Sequence, residues 1–305
     1  MITKRVVLIL GAGASRPYGF PLAGEMIQQA VIGEQGLVPR LTELGFSKPQ
    51  VESFLQELLR SQLPSIDAFL ERRPEFLEVG KATLAFYLVA HEAENSLLNL
   101  RNPEHWYRYL YGLMEAVKVE DFRENALSIV TFNYDRSFEH YFVTALMASH
   151  KISVQFAQSL VYGLSIVHVY GQLGELPGRD GEHRPYSPDL NPEALREAMG
   201  GIRIVSEGTD HRTRFARAHD VIGRAEEIIF LGFGFHRENV SRLELPVHLP
   251  SSAKVTGTVK GFTNSEFELT IAPQFADLPG DALTNNRQTV YDFLRDNLHL
   301  LGVKY

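Results

Sequence analysis

The chain begins with a short apolar run that leads directly into a turn of small residues. The run is Val6-Val7-Leu8-Ile9-Leu10, and Gly11-Ala12-Gly13-Ala14-Ser15 follows it. Five apolar residues in succession predict a strand buried on both faces, as in a parallel sheet. Small residues let the backbone turn sharply, and a helix that follows such a turn favours a phosphate group. The segment therefore predicts an α/β fold with a nucleotide site at the carboxyl end of its first strand.

The turn lacks two features of the best-known phosphate-binding loops. Arg16 stands where the dinucleotide fingerprint has its third glycine, and no Gly-Lys-Ser/Thr sequence ends the turn. A tight strand-to-helix turn without any ligand is the alternative interpretation.

Composition excludes several classes of protein. The chain has 305 residues, a net charge of −7 and no cysteine. Disulfides, thiolate zinc sites and a cysteine nucleophile are therefore excluded. The negative charge argues against direct nucleic-acid binding, and no apolar run is long enough to span a membrane. We expect a cytoplasmic protein, and no metal, because no histidine pair has the His-Glu-x-x-His spacing.

Alternating apolar runs and amphipathic segments predict the organisation of the chain. Further strands are expected at 126–131, 164–170, 202–206 and 227–231, and a hairpin at 254–260 and 266–271. Helices are expected at 22–33, 75–98, 106–117, 135–147, 213–225 and 287–301. The fold class is α/β, with a Rossmann-like, mainly parallel sheet and a helical insertion. We expect one domain over residues 1–305, with its core in 1–35 and 125–240, the insertion at about 40–124, and the hairpin and a helix in 241–305.

Four motifs at predicted strand ends occur in a fixed order along the chain. They are Gly11-Ala12-Gly13-Ala14-Ser15, Thr131-Phe132-Asn133-Tyr134-Asp135, His168-Val169-Tyr170-Gly171 and Gly232-Phe233-Gly234-Phe235. This ordered set resembles the sirtuin family, and within it the sirtuin-like proteins of bacterial antiphage defence. The resemblance covers roughly residues 1–30 and 125–240. It implies a sirtuin-like fold that binds NAD and cleaves its nicotinamide–ribose bond.

The resemblance also implies a role for each motif. The glycine turn with Ser15 would hold the pyrophosphate, and Asn133 would fix a water or the ribose hydroxyls. Asp135 would accept hydrogen bonds from the nicotinamide carboxamide. The residues expected to bind the cofactor are Gly11, Ala12, Gly13, Ser15, Phe20, Pro21, Thr131, Asn133, Asp135, Gly232, Phe233 and Gly234. Phe20 and Pro21 would wall the nicotinamide pocket, and the later glycines would contact the adenosine half.

One motif departs from the sirtuin pattern at the expected general base. Tyr170 stands where the family has a histidine before glycine, and His168 lies two residues earlier. Alternate residues of a strand face the same side, so both side chains are expected to reach one pocket. Four interpretations stay open. His168 has taken the role of base; Tyr170 orients the ribose while a water attacks; NAD is bound without cleavage; or Tyr170 is an engineered replacement. The expected catalytic residues are Asn133, His168 and Tyr170.

Each candidate residue also has a purely structural interpretation. Asn133 and Asp135 are residue types that cap helices, and Ser15 is another. Phe20 fits an ordinary core position, His168 fits a strand histidine satisfied by backbone groups, and glycine turns occur without ligands.

The resemblance favours an NAD glycohydrolase that releases nicotinamide and ADP-ribose and depletes NAD in antiphage defence. Its alternatives are an NAD or ADP-ribose binding module without turnover and a protein deacylase or ADP-ribosyltransferase. The missing cysteines weaken the deacylase interpretation, since deacylating sirtuins carry a four-cysteine zinc module. The resemblance further implies a homo-oligomer and a partner such as a HerA-type ATPase or an Argonaute-like protein.

Overall fold

A computed structural model describes residues 1–32, 36–178, 183–204, 209–278 and 282–303. Its centre is one sheet of five parallel strands, in the order β3-β2-β1-β4-β5. The strands are β1 (Val6–Leu10), β2 (Leu127–Thr131), β3 (Ser165–His168), β4 (Glu227–Leu231) and β5 (Lys254–Gly257). This sheet confirms the predicted α/β class.

The central strand β1 pairs with β2 on one side and with β4 on the other. Leu8 lies opposite Ile129 in β2 and opposite Ile229 in β4, and all three side chains are buried. Because β2 and β3 follow on one side of β1 and β4 and β5 lie on the other, the strand order reverses between β1 and β4, which makes this a topological switch point. Ligands of open α/β sheets bind at such points.

In the described part of the sequence, eight α-helices lie between β1 and β2. They are α1 (Ala12–Ser15), α2 (Ala23–Ile32), α3 (Leu37–Glu43), α4 (Lys48–Ser61), α5 (Ile66–Arg72), α6 (Leu77–Val89), α7 (Glu94–Leu97) and α8 (Trp106–Met114). Helix α6 is buried at every position from Val79 to Val89 and forms the core of this helical layer. Its Gly80 lets α5 approach closely, since a Cβ there would lie 2.4 Å from a methyl carbon of Leu70.

Nine helices follow β2 among the described residues. They are α9 (Ser137–His150), α10 (Val154–Val161), α11 (Pro192–Gly201), α12 (Thr209–Ile222), α13 (Arg237–Arg242), α14 (Leu245–His248), α15 (Asn264–Glu266), α16 (Val290–Asp296) and α17 (Leu298–Leu301). Among the described residues, none of the helices has the length and apolarity needed to cross a bilayer.

Several helices begin where the sequence supplies a side-chain cap. Ser47, Ser65, Ser153, Asn191 and Thr289 each accept a hydrogen bond from the backbone amide three residues later. Such caps satisfy amides that have no partner inside the helix. They explain why α4, α5, α10, α11 and α16 start at these positions.

The predicted C-terminal hairpin is wrong. Residues 254–257 form β5, which pairs parallel to β4, and Asn264–Ile271 is helical. Thr263 and Glu266 form a reciprocal capping box, which starts a helix at the point where we expected the second strand.

Other expected elements are shorter than predicted. The helix expected at 75–98 ends at Val89 and resumes for one turn in α7, and the helix expected at 287–301 is divided into α16 and α17. Of the strand expected at 202–206, Ile202 forms only an isolated antiparallel bridge with Gly171. The rest of that strand falls partly outside the described residues.

Candidate functional site

The glycine turn after β1 packs directly against the turn after β4. The Gly13 amide donates to the Gly232 carbonyl at 2.9 Å, and the Gly11 amide donates to the Leu231 carbonyl at 3.1 Å. A Cβ on Gly13 would lie 2.8 Å from that Gly232 carbonyl oxygen. One on Gly232, whose φ is +58°, would lie 2.1 Å from the Ala14 nitrogen. Glycine is therefore required here for the approach of two backbones.

The glycine turn itself forms a helix of only one turn, α1. Helix α1 ends at Ser15, and the amide of Ala14 donates to the Gly11 carbonyl at 2.9 Å. With the Gly13 amide also taken by Gly232, two of the amides expected to face a phosphate are already satisfied by carbonyls of the protein.

Asn133 joins the loops after β1 and β2 through its side chain. Its Nδ2 donates to the Gly11 carbonyl and to Ser15 Oγ, both at 3.0 Å. Its own amide donates to Thr131 Oγ1 at 3.0 Å, which fixes the turn at the end of β2. The interpretation of Asn133 as a simple helix cap is wrong, because α9 begins at Ser137 and the Asn133 side chain points to the glycine turn.

Asp135 continues this polar cluster into the interior. It accepts a hydrogen bond from Ser15 Oγ at 2.7 Å and others from the amide and hydroxyl of Ser137. Burial raises the pKa of Asp135, while the hydrogen bonds from Ser137 and Ser15 oppose the rise. A buried carboxyl with three donors around it is an acceptor held in one orientation.

His168 is held from both ring nitrogens. Its Nδ1 lies 3.0 Å from the Asn133 carbonyl, and its Nε2 lies 2.7 Å from Glu139 Oε1. Burial alone would lower the pKa of His168, but the charge and hydrogen bond of Glu139 outweigh it, and the pKa is raised. Burial likewise opposes ionisation of Glu139, yet His168 lowers the pKa of that carboxyl. Because both ring nitrogens face oxygen acceptors, the geometry favours a protonated imidazole paired with an ionised Glu139, and such an imidazole has no free lone pair with which to act as a base.

Tyr170 has a different set of partners. Its hydroxyl donates to Asn239 Oδ1 at 2.6 Å and accepts from Arg242 Nη1 at 2.5 Å. Burial raises the pKa of Tyr170, although the nearby Arg242 opposes the rise. The expectation that His168 and Tyr170 reach one pocket is wrong, because β3 ends at His168 and the chain turns before Gly171, whose φ is +74°.

The helical layer contributes carboxylates to the Tyr170 side of the sheet edge. Arg242 donates to Glu71 of α5 at 3.1 Å, and Tyr134 donates a short hydrogen bond to Asp67 of the same helix. Burial raises the pKa of Asp67, and the Tyr134 hydrogen bond opposes this effect. Helix α5 is thus joined to the loops after β2 and to α13 by polar contacts.

The contacts described above form two polar clusters. The first comprises Ser15, Asn133, Asp135, Ser137, Glu139 and His168, and the second comprises Glu71, Tyr170, Asn239 and Arg242. The remaining expected residues lie around these two clusters. Phe20 is buried with its ring centroid 6.3 Å from the His91 imidazole, beyond the end of α6. Phe233 packs edge-to-face on Phe132 at 4.9 Å, and a Cβ on Gly234 would face the His236 ring. The aromatic side chains fit core packing at this edge.

A cavity of about 10 Å³ lies within the first cluster. Ser15, Tyr107, Asn133, Asp135, Glu139 and His168 are among the residues that line it. A volume of about 10–15 Å³ accommodates a single water molecule. The cavity itself is therefore too small for a dinucleotide, although Asn133 is partly exposed at its edge.

Sequence reasoning missed Glu139, Ser137, Glu71, Asn239 and Arg242 as members of the two clusters. Ser137 and Glu139 stand two and four residues after Asp135, so polar residues in the first turn of the next helix were a usable signal. The others come from distant parts of the chain, and only the fold brings them to Tyr170.

No family model matches the chain, and the search of curated proteins likewise gives no match. One solved structure to which the chain is similar is a serine-to-alanine mutant of a Sir2 homologue in complex with ADP-ribose. The two chains are 14% identical, and the TM-score is 0.43. The alignment covers 97% of this chain and 91% of the other.

Proposed function

We propose that the carboxyl edge of this sheet binds NAD and that the protein is a sirtuin-like NAD glycohydrolase. One observation carries the proposal. Asn133, Ser15 and Asp135, three polar residues of the ordered motifs, form one hydrogen-bonded cluster across the loops after β1 and β2. Those loops lie beside the switch point of the sheet, where α/β proteins bind ligands.

The cluster contains groups suited to this chemistry. Cleavage of the nicotinamide–ribose bond releases a neutral pyridine and leaves an oxocarbenium-like centre, which a positioned water attacks. In the proposed mechanism the Asn133 amide orients that water or the ribose hydroxyls, since it has both donors and an acceptor. Asp135 accepts hydrogen bonds from the carboxamide of nicotinamide. Addition of the water releases one proton, which passes to the solvent, and an electrophilic centre of this kind needs little activation of the water, in agreement with the paired state of His168 and Tyr170.

Release of nicotinamide by the purified full-length chain tests the proposal. The protein is incubated with NAD alone, and nicotinamide is quantified by liquid chromatography. Asn133→Ala is expected to lower turnover by about 10²- to 10³-fold, the effect of removing one preorganised hydrogen-bonding group. Asn95→Ala, at an exposed position of α7, is the matched control and should retain the wild-type rate. Equal rates for both variants would remove Asn133 from the mechanism.

A binding module without turnover is the second candidate. It is favoured by the pairing of His168 with Glu139 and of Tyr170 with Arg242, which leaves neither residue suited to act as a base. Calorimetric binding of NAD by the wild type, without nicotinamide release, would support it. Release without any acceptor protein would argue against both this candidate and a transferase or deacylase.

The biological setting is proposed from the sequence resemblance alone. It comprises NAD depletion in antiphage defence in the cytoplasm, by a homo-oligomer acting with a HerA-type ATPase or an Argonaute-like protein. Mass photometry of the purified chain, and the NAD assay repeated with the co-encoded neighbour, test the assembly and its control of turnover.

A further inference from the structure

The imidazole rings of two histidines from separate helices stack on each other close to the backbone of Arg242. The imidazoles of His219 in α12 and His248 in α14 stack with centroids 4.1 Å apart and planes 16° from parallel. Glu244, four residues before His248, places a carboxylate beside them. One donor atom from each of these three residues lies within 4.8 Å of the other two.

We propose that His219, Glu244 and His248 form a binding site for a divalent transition metal, with Zn²⁺ as the preferred ion. Two imidazole nitrogens and one carboxylate oxygen are a ligand set that suits zinc. Magnesium and calcium prefer sites made of oxygen atoms alone. The proposal stands on the arrangement of the side chains.

A hydrogen bond already orients His219 as a ligand. Its Nε2 lies 2.9 Å from the Arg242 carbonyl, which can only accept, so Nε2 carries the proton and Nδ1 has the free lone pair. Metal-binding histidines usually donate their second ring nitrogen in this way, which fixes the tautomer and the ring.

The spacing of Glu244 and His248 fits a tetrahedral site. Glu244 Oε2 lies 3.2 Å from His248 Nε2. Metal–ligand distances of about 2.0–2.1 Å place two tetrahedral ligands about 3.3 Å apart. The third donor, on His219, lies within 4.8 Å of the other two, and both histidines are only partly buried.

A surface cavity leaves room for a fourth ligand. The space in front of His219 and His248 measures about 550 Å³ and is also lined by Asp220, Gly223 and Arg224. The guanidinium group of Arg224 is paired with the Asp220 carboxylate at 2.7 Å, and this carboxylate offsets the positive charge that Arg224 brings to the cavity wall. Three protein ligands and one water would therefore complete the coordination, as in zinc sites with an open position.

The sequence predicted no metal because the ligands come from different elements. His219 precedes β4, whereas Glu244 and His248 follow it, and the spacing Glu-x-x-x-His in the latter pair supplies only two donors. The proposed site is independent of the proposed NAD chemistry. The two sites are connected through Arg242. Its carbonyl orients His219, and its side chain contacts Tyr170.

Metal titration of the full-length chain tests this site. The purified protein is treated with a chelator, desalted, and titrated with Zn²⁺ in competition with a chromophoric indicator. We expect one equivalent to bind, and Co²⁺ in its place to give the visible absorption of a tetrahedral complex. His248→Ala and Glu244→Gln should each weaken binding by about 100-fold, because even changes outside the ligand set cost about 10- to 100-fold.

His150→Ala is the matched control, since His150 is an exposed histidine at the end of α9. It should bind zinc as the wild type does. Circular dichroism establishes that each variant is folded, and Glu244 is exposed enough for its substitution to leave the fold intact. The proposal is overturned if the wild type fails to bind one equivalent, or if folded Glu244→Gln and His248→Ala variants keep wild-type affinity.

Discussion

At the scale of single residues, the motif glycines illustrate how one pattern can have two physical causes. The sequence located the turn after β1 and predicted its contact with a ligand, whereas the structure places Gly13 against Gly232. Both causes demand a backbone without a side chain. Sequence alone could not separate them, because the contact joins residues more than two hundred positions apart.

Substitution of these glycines is expected to be costly. Gly232→Ala combines a left-handed backbone, which costs an L-residue about 1–2 kcal/mol, with a Cβ 2.1 Å from the Ala14 nitrogen. We expect a total loss of about 3 kcal/mol or more in the free energy of unfolding, measured by urea denaturation. Gly24→Ala in α2 is the control, since its Cβ would meet nothing within 4 Å. Equal stability of the two variants would refute the contact.

The His168–Glu139 pair predicts a dependence of stability on pH. The pKa of His168 is raised, so its contribution is complete below about pH 6.5 and is lost as the pH rises through the folded-state pKa. The pKa of Glu139 is lowered, so its contribution is present above about pH 4.3 and is lost as the pH falls through its folded-state value. The pair therefore stabilises the fold most between these two ordinary pKa values.

Glu139→Gln is expected to flatten the alkaline side of this profile. The wild type should lose about 1.4 kcal/mol for each unit by which the pKa of His168 is raised, as urea midpoints are followed upward from pH 6.5. Glu238→Gln, at an exposed position of α13, should reproduce the wild-type profile. Parallel curves for Glu139→Gln and the wild type would show that no ion pair is present.

At the scale of elements, a buried ion network joins three segments near the site. Arg136, just before α9, forms a bidentate pair with Glu92 beyond α6, and Arg184 reaches the same carboxylate. Arg136 also donates to the carbonyls of Glu175 and Arg184 at 3.0 and 2.9 Å. Since Asp135 directly precedes Arg136, this network fixes the position of the first polar cluster.

Removal of the shared carboxylate is expected to destabilise the whole arrangement. Glu92→Gln would remove the carboxylate that the two buried guanidinium groups of Arg136 and Arg184 share, at a cost of about 3–5 kcal/mol. Glu94→Gln, whose carboxylate is largely exposed, should change stability by less than about 0.5 kcal/mol. Urea denaturation of both variants measures the difference, and a loss under about 1 kcal/mol in Glu92→Gln would contradict the role of the network.

Elements were predictable wherever a local signal determined them. The apolar runs located β1, β2, β3 and β4, because a strand buried on both faces needs an unbroken apolar stretch. The prediction of one continuous helix over 75–98 was wrong, because the helix is interrupted around Glu92. Glu92 is a buried charged residue whose partners are distant in the sequence, so no local pattern indicates the interruption. The wrong prediction of a hairpin could have been avoided from the local sequence, because Thr263-x-x-Glu266 is a capping-box sequence that indicates the start of a helix.

At the scale of the whole molecule, α5 closes the Tyr170 side of the sheet edge. Asp67 and Glu71 of this helix hold Tyr134 and Arg242 of the sheet layer, and the neighbouring cavity accommodates about one water. If the edge binds NAD as proposed, α5 must separate from the sheet layer before the ligand reaches the buried Tyr170.

This closure predicts a binding rate limited by opening. The observed rate for ADP-ribose should level off at high ligand concentration, and Glu71→Gln should raise the plateau by weakening the contact with Arg242. The chain has one tryptophan, and the indole of Trp106 donates to the Ala14 carbonyl in the glycine turn, so stopped-flow fluorescence reports on the site. Glu78→Gln, on an exposed part of α6, should leave the plateau unchanged. A rate that rises linearly at every concentration would exclude a closed resting state.

The position of β1 at the centre of the sheet determines when the protein can fold during synthesis. Val6 pairs with Leu127 on one side and with Glu227 on the other. During synthesis this apolar strand therefore has neither partner until β2 has been translated, and it keeps one open edge until β4 follows. Such long-range pairing slows folding and exposes an aggregation-prone edge. Molecular chaperones that shield Val6–Leu10 during this interval should consequently raise the yield of active protein.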